Sequence, residues 1–243
     1  MKNSLRDKVV LLTGAGGGIG RAVAEKLARS GMAVVLLGGN NIEKLEETKR
    51  IVEKHSQAFM LPGDLTDPEF LARSVETAAG FRNGIDVLIN NAGAAASTPF
   101  EKVGVEEFDR IMAINVKVPF FLSQKVLPFL KKSPAAAIIN IASVTGHAGY
   151  PQQSVYSASK HALLGMTKSL AAEYYKENIR VHAISPGGVY TDMVKVTRPD
   201  LTPDGMIMPE DIAEIVYFFL SRRSNAVIDE ILVHRVGKEP FQV

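Results

Sequence analysis

Seven short apolar runs, separated by segments with helical periodicity, constrain this chain more than any other feature. Val9–Thr13, Val34–Leu37, Ala58–Leu61, Val87–Asn90, Ala137–Ile141, Val181–Ser185 and Glu230–Val233 read as strands. Most are continuous rather than alternating, as strands buried on both faces of a parallel sheet must be. Between them, stretches such as "IGRAVAEKLARS" and "PEDIAEIVYFFLSRR" repeat apolar residues at helical spacing. Cap and first-turn signals, "TDPE" at Thr66–Glu69 and "MPED" at Met208–Asp211, precede several of them. Strict alternation predicts an α/β, doubly wound architecture. Its seven-stranded, mostly parallel sheet would carry helices on both faces, joined by right-handed crossovers. With no repeat or linker in the sequence, residues 1–243 read as one domain.

Composition narrows the partners. A net charge of +2 is too small to point to nucleic acid or an anionic membrane. There is no cysteine, hence no disulfide framework or thiol nucleophile. No apolar run nears the roughly 18 residues of a membrane span. The opening "MKNSLRDKVVLLTG" lacks the pattern of a secretory signal, so a soluble cytoplasmic protein is expected. His55, His147, His161, His182 and His234 show no metal-ligand spacing, and no metal is expected.

The stretch "TGAGGGIG" stands between the first strand and the first helix, with five glycines from Gly14 to Gly20. Glycine there permits a tight turn and lets backbone approach a phosphate, which the N–H groups and dipole of a helix N-terminus favour. The spacing is Thr13-Gly14-x-x-x-Gly18-x-Gly20, not GxGxxG. Farther on stand "NNAG" at Asn90–Gly93, Asn115 in "AINV", and Ser143 after "IINIA". Tyr156-x-x-x-Lys160 follows in "YSASK", and then "SPGGVYTDM" from Ser185.

Together, from about Lys8 to Glu214, these motifs resemble the classical short-chain dehydrogenase/reductase family. The resemblance implies a Rossmann-type fold and an NAD(P)(H)-dependent oxidoreductase acting on a carbonyl or secondary alcohol. It implies catalytic roles for Asn115, Ser143, Tyr156 and Lys160. Cofactor contacts are implied for Gly14, Gly17, Gly18, Ile19, Gly20, Asp64, Leu65, Asn91, Ala92, Gly93, Tyr156, Lys160, Pro186, Gly187, Val189 and Thr191. In the implied chemistry Tyr156 exchanges a proton with the substrate oxygen, and Ser143 gives that oxygen a second hydrogen bond. Lys160 lies four residues on, on the same helix face, where an ammonium would lower the phenol's pKa and bind the nicotinamide ribose. Asn115 would position a water in a proton relay. Bland roles stay open: Ser143 as a turn cap, Asn115 bonded to backbone, and His147, Tyr150 and Tyr190 as structural residues rather than pocket walls.

Cofactor choice is less marked. At the end of the second strand Gly39 replaces the acid that would repel a 2′-phosphate, and Asn40 stands where a basic residue would attract one. Gly17 occupies a position where many NADP-dependent members of the family it resembles carry Arg or Lys. The balance tips to NADP(H) over NAD(H), with Asn40 as a candidate phosphate contact. The segment between Met193 and Glu210 is short and holds three prolines, which suits a small ketone or a 3-oxoacyl thioester better than a steroid. A 3-oxoacyl thioester reductase is the leading reading, with a small ketone, aldehyde or 3-hydroxy acid dehydrogenase next. A non-catalytic nucleotide sensor would be expected to have lost Ser143, Tyr156 or Lys160, and a nucleotide-sugar epimerase would need a further domain. The long helical stretches Glu106–Lys131 and Ser154–Lys176 are apolar enough to pair subunits into a homodimer or homotetramer.

Overall fold

The structure, a computed structural model, describes residues 5–39, 41–82, 84–192, 194 and 202–239. The seven runs form strands β1 (Val9–Thr13), β2 (Ala33–Gly38), β3 (Ala58–Pro62), β4 (Val87–Asn90), β5 (Ala137–Ile141), β6 (Arg180–Pro186) and β7 (Glu230–Val233). They make one sheet in the order β3-β2-β1-β4-β5-β6-β7. Every adjacent pair is parallel, so "mostly" parallel understates the result. The order reverses beside β1, and ligands of such sheets bind at the strand ends near that switch.

Helices α1 (Gly18–Arg29), α2 (Ile42–Glu53), α3 (Pro68–Phe81), α4 (Val105–Met112), α5 (Val118–Leu130), α6 (Ser154–Tyr174) and α7 (Pro209–Ser221) cover the sheet. Alternate residues of each central strand enter different cores. On one face Val10, Leu12, Val34 and Leu36 pack with Val23 and Leu27 of α1 and Val216 and Phe219 of α7. On the other, Leu11, Val35 and Ile138 meet Leu71 and Val75 of α3 and Leu122 and Val126 of α5. Among the described residues no helix is long and apolar enough to cross a membrane.

The helical stretch expected over Glu106–Lys131 is not uniform. Between α4 and α5 runs a π turn, Ala113–Lys117, with Asn115 buried inside it. Pro119 supplies a physical reason. It has no N–H to return to the Asn115 carbonyl four residues earlier, and its ring crowds that carbonyl, so a wider turn relieves both problems. The stretch expected over Ser154–Lys176 is α6 followed by a 3₁₀ turn, Tyr175–Glu177, closed by Asn178 in the left-handed region at φ 59°.

Candidate active site

The β1–α1 turn is built by backbone crowding. Gly14 sits at φ 65°, and a Cβ there would stand 2.9 Å from both Ala92 Cα and Asn91 Nδ2. A Cβ on Gly20 would collide with the Gly14 carbonyl oxygen. Asn91 Nδ2 donates to the carbonyls of Thr13 and Gly14 at 3.0 and 3.1 Å, and Thr13 Oγ1 accepts the N–H groups of Asn91 and Ala92. The turn after β1 and the turn after β4 are thereby locked together. Gly17, by contrast, has open space where a side chain would stand, and as the N-cap of α1 it offers no side-chain acceptor. The first N–H groups of α1 therefore face a hollow without a cap, an arrangement that fits a dinucleotide's pyrophosphate. Ile19 packs partly into the core.

The end of β6 closes over this loop. Pro186 ends the strand, the Gly187 N–H donates to the Val233 carbonyl at 2.8 Å, and buried Val189 bridges to Ile207. Thr191 Cγ2 lies 3.0 Å from where a Cβ on Gly18 would be, so the two predicted contact segments meet. Asp64 stays apart as an exposed residue, its carboxylate accepting Thr66 N and Oγ1 at 2.8 Å, while Leu65 is buried. Asn40 lies outside the described residues, as do 193 and 195–201 of the expected short cover.

Ser143, at the end of β5, caps a 3₁₀ turn by accepting the Thr145 N–H at 3.2 Å, yet it still lines a cleft of ≈ 230 Å³ shared with Tyr156, Gly187 and Gly188. The turn-cap role weighed from the sequence is present, in a residue that also faces the cleft. Asn115 spends its amide on protein: Oδ1 accepts from Ala94 N at 2.8 Å, and Nδ2 donates to Ala94 O and Ser159 Oγ at 2.9 Å. It clamps the loop after β4 to α6, the backbone-bonded role left open above. His147 bonds Glu230 at 2.7 Å and stands outside the cleft lining, while Tyr150 lines the cleft.

The electrostatics correct one expectation. Lys160 is 4% exposed, donates to the Ile141 carbonyl at 2.9 Å, and has its pKa lowered by burial to about 8. Its Nζ lies 5.6 Å from the Tyr156 ring centroid. Tyr156 is half-buried and lines the cleft, where the surrounding protein strips water from its phenol. That desolvation pushes the phenol up rather than down, with the Ser143 hydroxyl offsetting part of the rise. Burial outweighs any ammonium effect here, so the phenol titrates above its ordinary value and not below it.

The lysine carries a stability signature. Its folded pKa lies below its unfolded value of 10.5, so the fold bears the cost of a buried charge below about pH 8 and sheds it as pH rises toward 10.5. Across that window the nucleotide-free protein should gain stability on the order of 3 kcal/mol relative to Lys160→Met. Thermal melts of both proteins from pH 7 to 10 measure this, and parallel melting curves would contradict it.

Residues 8–202 match the model of the short chain dehydrogenase family. The chain belongs to that family. It is an NAD(P)-dependent oxidoreductase, and its α/β fold is that of solved short chain dehydrogenases. An uncharacterized oxidoreductase of Staphylococcus aureus strain USA300 is 34% identical, covering 96% of this chain and 99% of the relative. The 3-oxoacyl-[acyl-carrier-protein] reductase FabG of Aquifex aeolicus is 32% identical over 96% and 97% of the two chains. A crystal structure of a Shigella flexneri short chain dehydrogenase complexed with NADP superposes with a TM-score of 0.86 at 31% identity, covering 96% and 99%.

Two parts of this dehydrogenase's site escaped the motif reading. Ser159, buried and bonded to Asn115, was hidden in "YSASK" as one small residue between two conspicuous ones. His234, Arg235 and Lys238 line the cleft from beyond β7. Their only sequence signal was a basic tail where the resemblance had already lapsed.

Proposed function

We propose that this short chain dehydrogenase interconverts a carbonyl and a secondary alcohol with NADP(H), using Tyr156 as the acid and base. The observation that carries the reading is one small cleft lined by Ser143 and Tyr156, with buried Lys160 behind the Tyr156 ring. The nicotinamide, when bound, supplies or accepts the hydride. The Gly14–Gly20 turn, the N-terminus of α1, Ala92, Gly93 and the Pro186–Thr191 segment would hold the dinucleotide. Tyr156, whose phenol burial pushes up, gives its proton to the carbonyl oxygen, and Ser143 holds that oxygen by a hydrogen bond. Asn115 fixes the loop after β4 against α6, so the nucleotide side and the acid–base side keep one spacing.

A cleft this small suits a compact substrate better than a large ring system. The A. aeolicus relative supports a 3-oxoacyl thioester, while the cleft volume favours a small ketone, aldehyde or hydroxy acid. Oxidation of NADPH and NADH with a panel of short carbonyl compounds, thioesters included, tests the reading. Turnover of none of them, in either direction, would sink it.

Two features support NADP(H). No acid stands at the end of β2, where Gly39 has open space around it. Lys44, in the first turn of α2, borders the hollow beside Gly17 together with Arg21. Lys44 is paired with Asp192 at 2.7 Å and Arg21 with Glu47 at 2.7 Å, so both cations are held in place at the loop. Lys44→Ala should raise KM for NADPH about 5-fold, the equivalent of one surface charge contact, with KM for NADH little changed. Equal effects on both would place the 2′-phosphate elsewhere. Exposed Phe108, Phe120 and Phe121 on α4 and α5 support a homo-oligomer paired through those helices.

A further inference from the structure

The wall of the cleft beyond β7 has a charge pattern the reaction itself does not require. His234, Arg235 and Lys238 all line it, and no Asp or Glu is among the described residues that line it. Arg235 is half-buried, and its guanidinium donates to Met206 Sδ at 3.4 Å, a weak acceptor. Arg21, Arg29, Arg73 and Arg82 each meet a carboxylate, whereas Arg235 forms no ion pair with any described residue. Lys238 Nζ lies 6.0 Å from the centroid of the Tyr150 ring, another wall of the same cleft.

A half-buried guanidinium with most of its donors unspent, in a wall whose described residues include no acid, is a ready receptor for an anion. Its planar fork matches a carboxylate in particular. The alternative is an ordinary solvated basic tail. That fits Lys238, which is exposed, but it fits Arg235 poorly, because this side chain lies against Met206 and Gly188 instead of extending into water. Resting on the carbonyl–alcohol reading above, we infer that the substrate carries a carboxylate, recognised by Arg235 with His234 and Lys238 in support. Arg235, Ser143 and Tyr156 line one cleft, which places that carboxylate on the same short substrate as the reacting carbon. A short oxo acid and its hydroxy acid fit this; a phosphate at the far end of a thioester carrier does not.

The test compares short 2- and 3-oxo acids, their methyl esters and the matching 3-oxoacyl thioesters, with NADPH and with NADH, on the wild type and on Arg235→Met. The acid should exceed its ester in kcat/KM by at least about 10-fold, the scale of one charged hydrogen bond. Arg235→Met should lower kcat/KM for the acid at least about 10-fold more than for its ester, mainly through KM. Saturation-transfer NMR with butyrate, an unreactive short carboxylate, adds a readout independent of turnover. It should detect binding to the wild type and not to Arg235→Met. Esters or thioesters turned over as well as the acids would overturn the inference and leave the carbonyl reading intact, as would equal losses on acid and ester in the variant. Butyrate binding without turnover of any substrate would overturn the carbonyl reading and keep the anion site. Neither binding nor turnover would overturn both.

Discussion

Replacing Tyr156 by Phe should lower turnover by about 10³-fold or more while nucleotide affinity changes little, since only the proton-carrying oxygen is lost. The ring that faces Lys160 Nζ at 5.6 Å remains, so the packing around the lysine is kept. Steady-state NADPH oxidation gives the first quantity, and nucleotide fluorescence titration gives the second. Because burial pushes the Tyr156 phenol up, reduction should hold up well into the alkaline range, while oxidation of the alcohol should need higher pH. A Phe variant that still turns over would move the acid–base role to another group.

Gly20→Ala should be the most damaging single methyl in the site. The added carbon would meet the Gly14 carbonyl oxygen and lie 2.8 Å from Asn91 Nδ2, and neither can retreat. Gly14 is fixed by its own left-handed backbone at φ 65°, and Asn91 Nδ2 is held by two carbonyls. We expect a loss of about 3 kcal/mol, or ~6–12 °C in Tm, together with loss of nucleotide binding. Gly17→Ala is the internal control. Its Cβ meets nothing, so the fold should be unaffected while the phosphate hollow fills. Scanning calorimetry of both variants with and without NADPH separates the two effects. A Gly20→Ala protein as stable as wild type would mean the turn is far more pliable than its contacts imply.

The sheet was legible because its strands are buried on both faces, so runs such as "VVLLT" and "AVVLL" carry the signal without needing alternation. That Tyr156 and Lys160 share a helix face was legible because they sit one helical turn apart, a spacing fixed by the chain itself. The consequence for the phenol's charge was not. It depends on how deeply the hydroxyl is enclosed, which long-range packing decides, and burial reversed the direction expected from neighbouring charge. The break in the long helix was also missed, although Pro119 marked it, because its apolar pattern runs on without interruption. Arg235 was invisible for a different reason. Only the pairing of β7 with β6, through Ile184 to Ile231 and its neighbours, brings the chain beyond β7 to the cleft holding Ser143 and Tyr156.

The π turn at Ala113–Lys117 has a consequence for how this chain can vary in length. Such a turn holds one residue more than a regular helix needs. Deleting one residue there would force α4 and α5 into one regular helix, with Pro119 inside it lacking its hydrogen bond and crowding the carbonyl four residues earlier. What would disappear is the bulge that holds Asn115 against Ala94 and Ser159. The surplus residue therefore serves twice, easing the backbone around Pro119 and placing Asn115 between Ala94 and Ser159.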